Sequence, residues 1–281
     1  MAGIRVVTDS AADLDPELVR ARGISVVELD VRLGDIGPEV TREWSPEEFW
    51  QQCAKTSVLP ETSAPAPGAF AAAFEAAADA GADGVVCVTI SSKLSATYQA
   101  AEAGAQAVSG RVPVRVVDTL LATMAEGLVV LAATEAADAG ESMEGVEAAA
   151  RSAAARSHVV GTIDTLDNLR KGGRIGGAQA LVGSLLSIKP VIEVRDGVVE
   201  PTSRQRTRQR SFEFLASRVR DAGPLERLAI VHAAAGDVDT LIDLVSADFD
   251  RERILVSFIG PVIGTHAGPG TVGVCYETAA G

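Results

Sequence analysis

Apolar residues along this chain fall into two kinds of stretch. Short aliphatic runs such as Val85, Val86, Val88 and Ile90 suit strands covered on both faces, as in parallel sheets. The alanine-rich stretches between such runs suit helices. In the first half the strands are expected over Ile4–Val7, Ile24–Leu33, Val85–Ile90 and Val114–Val117. Helices are expected to begin at Asp15-Pro16-Glu17 and at Ser45-Pro46-Glu47-Glu48, where a capping side chain precedes a proline. Others are expected over Ala69–Ala80, up to Ala107, over Ala122–Ala139 and over Ser142–Ala155. Strand and helix alternating in this way predict a parallel sheet with helices on both faces.

The second half reads differently. Strands are expected over Val159–Ile163, Lys189–Val194, Leu228–Val231 and Ile254–Ile259, with Asp196-Gly197 as a hairpin turn into Val198. Helices are expected over D-T-L-D-N-L-R-K, ending at Gly172-Gly173, then over Ala178–Leu186, Thr207–Asp221 and Val238–Ser246. The expected fold is therefore α/β with two domains. The first, residues 1–157, holds the parallel sheet. The second, residues 158–281, is α+β, and crossing segments are allowed.

The stretch around which the first domain is organised is the strand ending at Ile90, the loop S-S-K-L-S and the helix after it. Ser95 or Ser92 is expected to cap that helix. A helix start at the carboxyl end of a parallel strand is also where open α/β sheets bind ligands, and its free N–H groups favour an anion. The serines either only cap and turn the chain or offer hydroxyls to a carboxylate or phosphate. A second hydroxyl-bearing loop, T-S-A-P-A-P-G, carries Thr62 and Ser63 on a backbone stiffened by prolines.

Composition narrows the function. Of 281 residues, 47% are hydrophobic, and the net charge is −13, which argues against nucleic acid or an anionic membrane surface as partner. Aromatic residues make up only 4%, too few for base-stacking platforms. Cys53, Cys87 and Cys275 are scattered and fit a reducing compartment. No secretion signal, membrane span or lipid anchor is expected, which points to the cytoplasm.

Several motif matches fail on context. Gly268, Gly270 and Gly273 fit G-x-G-x-x-G but precede no helix, and R-K-G-G-R-I-G-G lacks the ending of a phosphate-binding P-loop. His158, His232 and His266 lack zinc-ligand spacing, so no metal is expected. His266, in G-T-H-A-G-P-G, is either structural or a donor to an anion. Arg204, Arg206, Arg208 and Arg210 alternate, and Arg170, Lys171 and Arg174 cluster earlier. These are either a solvated face or a site for phosphate or an acidic partner.

Six motifs in order resemble the DegV family across nearly the whole chain: T-D-S-A-A-D-L, T-S-A-P-A-P-G, I-S-S-K-L-S-A-T-Y-Q, D-T-L-D-N-L-R-K-G-G-R-I, I-K-P and G-P-V-I-G-T-H-A-G-P-G. The resemblance implies a DegV-like fold with a long-chain fatty acid buried in a tunnel between the domains and no other cofactor. It implies no catalysis by this chain, because a separate fatty acid kinase subunit would phosphorylate the bound carboxylate for phospholipid synthesis. Carried over by motif, Thr62 and Ser95 would bond the carboxylate, with His266 close by and Ser63 and Ser92 as neighbours. Arg170, Arg174 and Arg206 would face the kinase. Ala96 stands where the family usually has glycine, and Ala64 and Ala66 where larger or hydroxylated residues are usual. Two other readings are a lipid-responsive regulator and a hydrolase or phosphotransferase of small phosphorylated substrates, with His266 and Asp118 as acid and base.

Overall fold

The computed structural model describes residues 3–182 and 188–280. Its first elements are β1 (Ile4–Asp9), α1 (Pro16–Arg22), β2 (Ser25–Val27), β3 (Asp30–Arg32), α2 (Pro38–Thr41), α3 (Pro46–Cys53) and β4 (Glu61–Ser63). There follow α4 (Pro67–Asp79), β5 (Gly84–Thr89), α5 (Thr97–Ala107), β6 (Val114–Asp118), α6 (Met124–Asp138) and α7 (Met143–Arg156). The remainder comprises β7 (Ser157–Thr162), α8 (Asp167–Lys171), β8 (Lys189–Arg195), β9 (Val198–Gln205), α9 (Arg208–Asp221), β10 (Leu225–His232), α10 (Val238–Val245), β11 (Ile254–Phe258), α11 (Pro261–Ala267) and β12 (Val272–Thr278).

The chain forms two compact units, Met1–Asp30 with Ser63–Ser157, and Val31–Thr62 with His158–Gly281. Residues 31–62, expected in the first domain, group with the second unit. The first unit is built on an all-parallel sheet of order β2-β1-β5-β6. Every residue of β5 is buried, as its uninterrupted apolar run requires when helices cover both faces. Val7, Val85, Cys87 and Val116 pack on one side against Phe70 and Phe74 of α4 and Ala101 of α5. Helices α6 and α7 pack against each other and against the same strands.

The second unit holds a mixed sheet of order β11-β10-β12-β7-β8-β9. Strand β10 runs parallel to β11 and antiparallel to β12, while β7, β8 and β9 are antiparallel in turn. Its core joins Val160, Val191, Val272 and Val274 of the sheet to Phe212 and Leu215 of α9 and Leu241 of α10. The β8–β9 turn has left-handed φ at both Asp196 (+50°) and Gly197 (+83°), the geometry of a two-residue hairpin.

Local capping follows the sequence. The Asp15 carboxylate accepts the N–H groups of Glu17 and Leu18, and Ser45 and Glu48 form a reciprocal capping box. Four expectations need correction. Ile24–Leu33 is two short strands rather than one, because the chain leaves the parallel sheet after Val27 and β3 pairs with β4 instead. The helix expected from Asp164 begins only at Asp167. Gly176–Leu181 forms a 3-10 turn that ends at an extended Val182, and residues 183–186 of the expected helix lie outside the described residues. Residues 261–267, read without a helix, form α11. Among the described residues, no helix is long and apolar enough to cross a membrane.

Gly104 shows how closely the α4–α5 pair packs. A Cβ there would lie 2.8 Å from Phe70 Cβ and 2.9 Å from the Pro67 carbonyl oxygen. Helix propensity favours alanine by about 1 kcal/mol, but forcing a methyl against backbone costs about 1–3 kcal/mol. Gly104→Ala should therefore lower the urea midpoint; an unchanged or raised midpoint would show that the two helices yield.

Candidate functional site

The second unit brings Thr62 and His266 together across a large sequence separation. Thr62 sits on β4, and its Oγ1 lies 2.8 Å from His266 Nε2 on α11. Three contacts fix the imidazole. Asn168 of α8 donates from Nδ2 to the Thr265 carbonyl at 3.0 Å, tying α8 to α11. A Cβ at Gly264 would lie 2.7 Å from Trp50 Cζ2, so α11 seats directly on the indole. A Cβ at Gly172 would lie 2.3 Å from His266 Nδ1. Gly172 itself has φ −76°, so no left-handed turn calls for glycine there; the imidazole does.

Burial pushes the His266 pKa down to about 4, with the Arg174 cation adding to the shift. The ring is therefore neutral near pH 7. Nδ1 is buried and meets no hydrogen-bond partner among the described residues. A bare N–H is the costlier orphan, and a nearby cation favours a lone pair, so the proton belongs on Nε2. Nε2–H then donates to Thr62 Oγ1, which leaves the Thr62 hydroxyl proton free to donate to a ligand oxygen.

The first unit carries the other hydroxyl loop. Asp9 Oδ2 accepts the Ile90 N–H at 3.0 Å, and Asp118 Oδ1 accepts those of Ser92 at 3.1 Å and Leu120 at 3.0 Å. The loop thus hangs from the ends of the two strands that flank β5. Neither Ser95 nor Ser92 caps α5, which corrects the sequence expectation: the N-cap is Ala96, without a side-chain cap bond. Ser95 Oγ pairs instead with Thr97 Oγ1 at 2.8 Å, and the Leu94 and Ser95 amides turn back onto the Ser91 carbonyl. Ala96 has φ −77°, so alanine fits there without strain. Ser63 is exposed at the end of β4. Asp118, the base of the rival enzymatic reading, is committed to two backbone amides.

The basic cluster does not act as one group. Arg208 is bound bidentately by Asp237, at 3.0 and 2.9 Å, and stacks over the Phe212 ring. Arg206 is exposed on the loop between β9 and α9. Arg170, also exposed, pairs with Asp167 at 3.0 Å. Arg174 donates to the Gly172 carbonyl at 2.7 Å, which folds its loop back beside His266. Trp50, Asn168 and Gly172 were missed by the sequence reading. The glycine doublet was the available signal, but it also suits a helix end. No group of three or more His, Cys, Asp or Glu side chains among the described residues is placed to hold a metal ion.

Comparison with known proteins gives a consistent picture. The family described as "Uncharacterised protein, DegV family" matches residues 3–279. A DegV domain-containing protein of Streptomyces coelicolor is 39% identical over 283 residues, covering 98% of each chain. The solved structure of a DegV family protein from Thermus thermophilus, described for its fatty acid binding, is similar at TM-score 0.88 and 33% identity, covering 99% of this chain and 100% of that one. DegV of Bacillus subtilis, described as a fatty acid binding protein, reaches TM-score 0.86 at 29% identity, covering 99% and 100%.

The neutral imidazole has a pH signature. Below the ordinary histidine range the unfolded chain binds a proton that folded His266 refuses. Stability should fall as pH drops from about 6.5 towards about 4, by roughly 1.4 kcal/mol per unit from this group. Comparing acid unfolding of the wild type with His266→Gln, which cannot titrate, checks this; identical acid limbs would mean that His266 is charged in the fold.

Proposed function

The chain belongs to the DegV family, and on that footing we propose that it binds a long-chain fatty acid and presents its carboxylate to a separate fatty acid kinase. The observation that carries this reading is the Thr62–His266 pair, with a neutral imidazole orienting a hydroxyl as donor. The fatty acid binding described for the Thermus thermophilus and Bacillus subtilis relatives supports it.

The division of labour follows from magnitudes. Burying about 14 methylenes at ~0.8 kcal/mol each contributes roughly 11 kcal/mol before entropy costs. Hydrogen bonds to a charged head group add about 1.5–3 kcal/mol. The tail therefore supplies affinity, and the hydroxyls fix the head. In this reading Thr62 and Ser95 bond the carboxylate, Ser63 and Ser92 lie near it, and His266 orients Thr62. Exposed Arg170 and Arg206, with Arg174, face the kinase. In this reading phosphoryl transfer belongs to that partner, since the sequence carries no P-loop motif.

Native mass spectrometry of the purified protein, followed by organic extraction, tests the reading. A stoichiometric C14–C18 fatty acid is expected; a protein that carries none and takes up none when offered would sink it, and phosphoester turnover by the isolated chain would favour the enzymatic alternative. Thr62→Val keeps the side-chain shape and removes the hydroxyl. It should lower acyl-phosphate formation in the presence of kinase by roughly 10–100-fold, with lipid uptake reduced less. An undiminished rate would remove Thr62 from the head-group site.

A further inference from the structure

Among the described residues, five other than glycine have left-handed φ, and three of these lie in two turns of the first unit. They are Asp13 (+50°), after β1, and Leu120 (+56°) and Thr123 (+53°), between β6 and α6. Aspartate tolerates this region, leucine less readily, and a β-branched threonine hardly at all. With ψ at −151°, Thr123 lies beside a region left almost entirely to glycine. It stands at the N-cap of α6 but makes no side-chain cap bond. Its hydroxyl donates instead to Asp13 Oδ2 at 2.6 Å, and both residues are buried. The two turns have little slack between them. A Cβ at Gly127, early in α6, would lie 2.8 Å from the Ala12 carbonyl oxygen.

The turn ahead of Thr123 grips the S-S-K-L-S loop. The Leu121 carbonyl accepts the Ser91 N–H at 2.9 Å, and the Ser91 carbonyl accepts that of Ser95 at 3.1 Å. Asp118 Oδ1 binds the Ser92 and Leu120 amides together. Thr119 Oγ1 donates to the Thr89 carbonyl at 2.8 Å and accepts the Leu121 N–H at 3.1 Å. The path of residues 118–121 therefore decides where Ser91, Ser92 and Ser95 are held. We propose that Thr123 is a positioning residue for the hydroxyl loop: its bond to Asp13 pins the far end of this turn in a strained path, and that path sets the place of Ser92 and Ser95. Glycine would adopt the same backbone without strain but would leave the turn untied from Asp13. The value of this positioning to a head group rests on the fatty acid reading above; the hold on the loop does not.

Thr123→Gly separates position from strain, because it relieves the backbone and deletes the bond, while Thr123→Ser keeps the hydroxyl. Amide hydrogen exchange, followed by NMR on the delipidated full chain, reads the hold directly. In the glycine variant the Ser91 and Ser92 amides should exchange about tenfold faster or more relative to those of β5. The serine variant should restore the wild-type pattern. A general loss of stability would speed β5 along with the loop. Unchanged exchange at Ser91 and Ser92, acceleration shared equally by β5, or a serine variant that behaves like the glycine one would overturn the proposal. If Thr123→Gly fails to fold, Thr123→Val, which also lacks the hydroxyl, carries the same comparison. With palmitate and the kinase present, the glycine variant should form acyl phosphate about tenfold more slowly, and the serine variant at the wild-type rate. A wild-type chain that takes up no palmitate would count against the fatty acid reading alone, and the exchange result would still decide the role of Thr123.

Discussion

The polar chemistry of the second unit depends on packing one imidazole so closely that it stays uncharged. Gly172, Gly264 and the Asn168–Thr265 bond bring α8, α11 and Trp50 together with no room for another side chain. A charged His266 would attract an anion more strongly but would also hold it in an ion pair. In the proposed function a neutral relay through Thr62 would orient an oxygen anion while leaving its electron pairs basic. Under the function proposed above, in which a carboxylate would attack a phosphoryl group, that would be the more useful environment.

Much of the architecture was legible because the physics involved is local. The aliphatic run of β5 permits only a strand buried on both faces. The caps at Asp15 and Ser45 are bonds between residues two or three apart, so their spelling is their structure. The hairpin at Asp196-Gly197 follows from the same short-range logic. Ser95, Thr62 and His266 stood out as two hydroxyls on loops and a histidine between glycines, but only the family motifs gave them a shared role.

What escaped the sequence reading was set by partners far along the chain. Periodicity over Ile24–Leu33 says that residues alternate, not which sheet they join, so a change of sheet between β2 and β3 left no trace. Helix α11 was masked by its glycines, one of which is small because an indole from α3 lies against it. Ser95 looked like a cap, yet its oxygen is taken by Thr97, a competition visible only once the loop has its shape. The alternating arginines looked like one surface, but Asp237 and Phe212 draw Arg208 out of the set.

The allocation of Val31–Thr62 to the second unit has a consequence for how the protein is made. On the ribosome this segment emerges early, yet the sheet and helices it groups with are encoded last. It must wait while all of Ser63–Ser157 is synthesised, with Phe49, fully buried in the finished fold, still unshielded. The first unit can close around its parallel sheet in that interval, leaving residues 31–62 as an outlying loop. Nascent chains stalled before β7 would therefore expose Phe49 in a helix-forming segment, a natural target for chaperones and proteases until the C-terminal strands arrive.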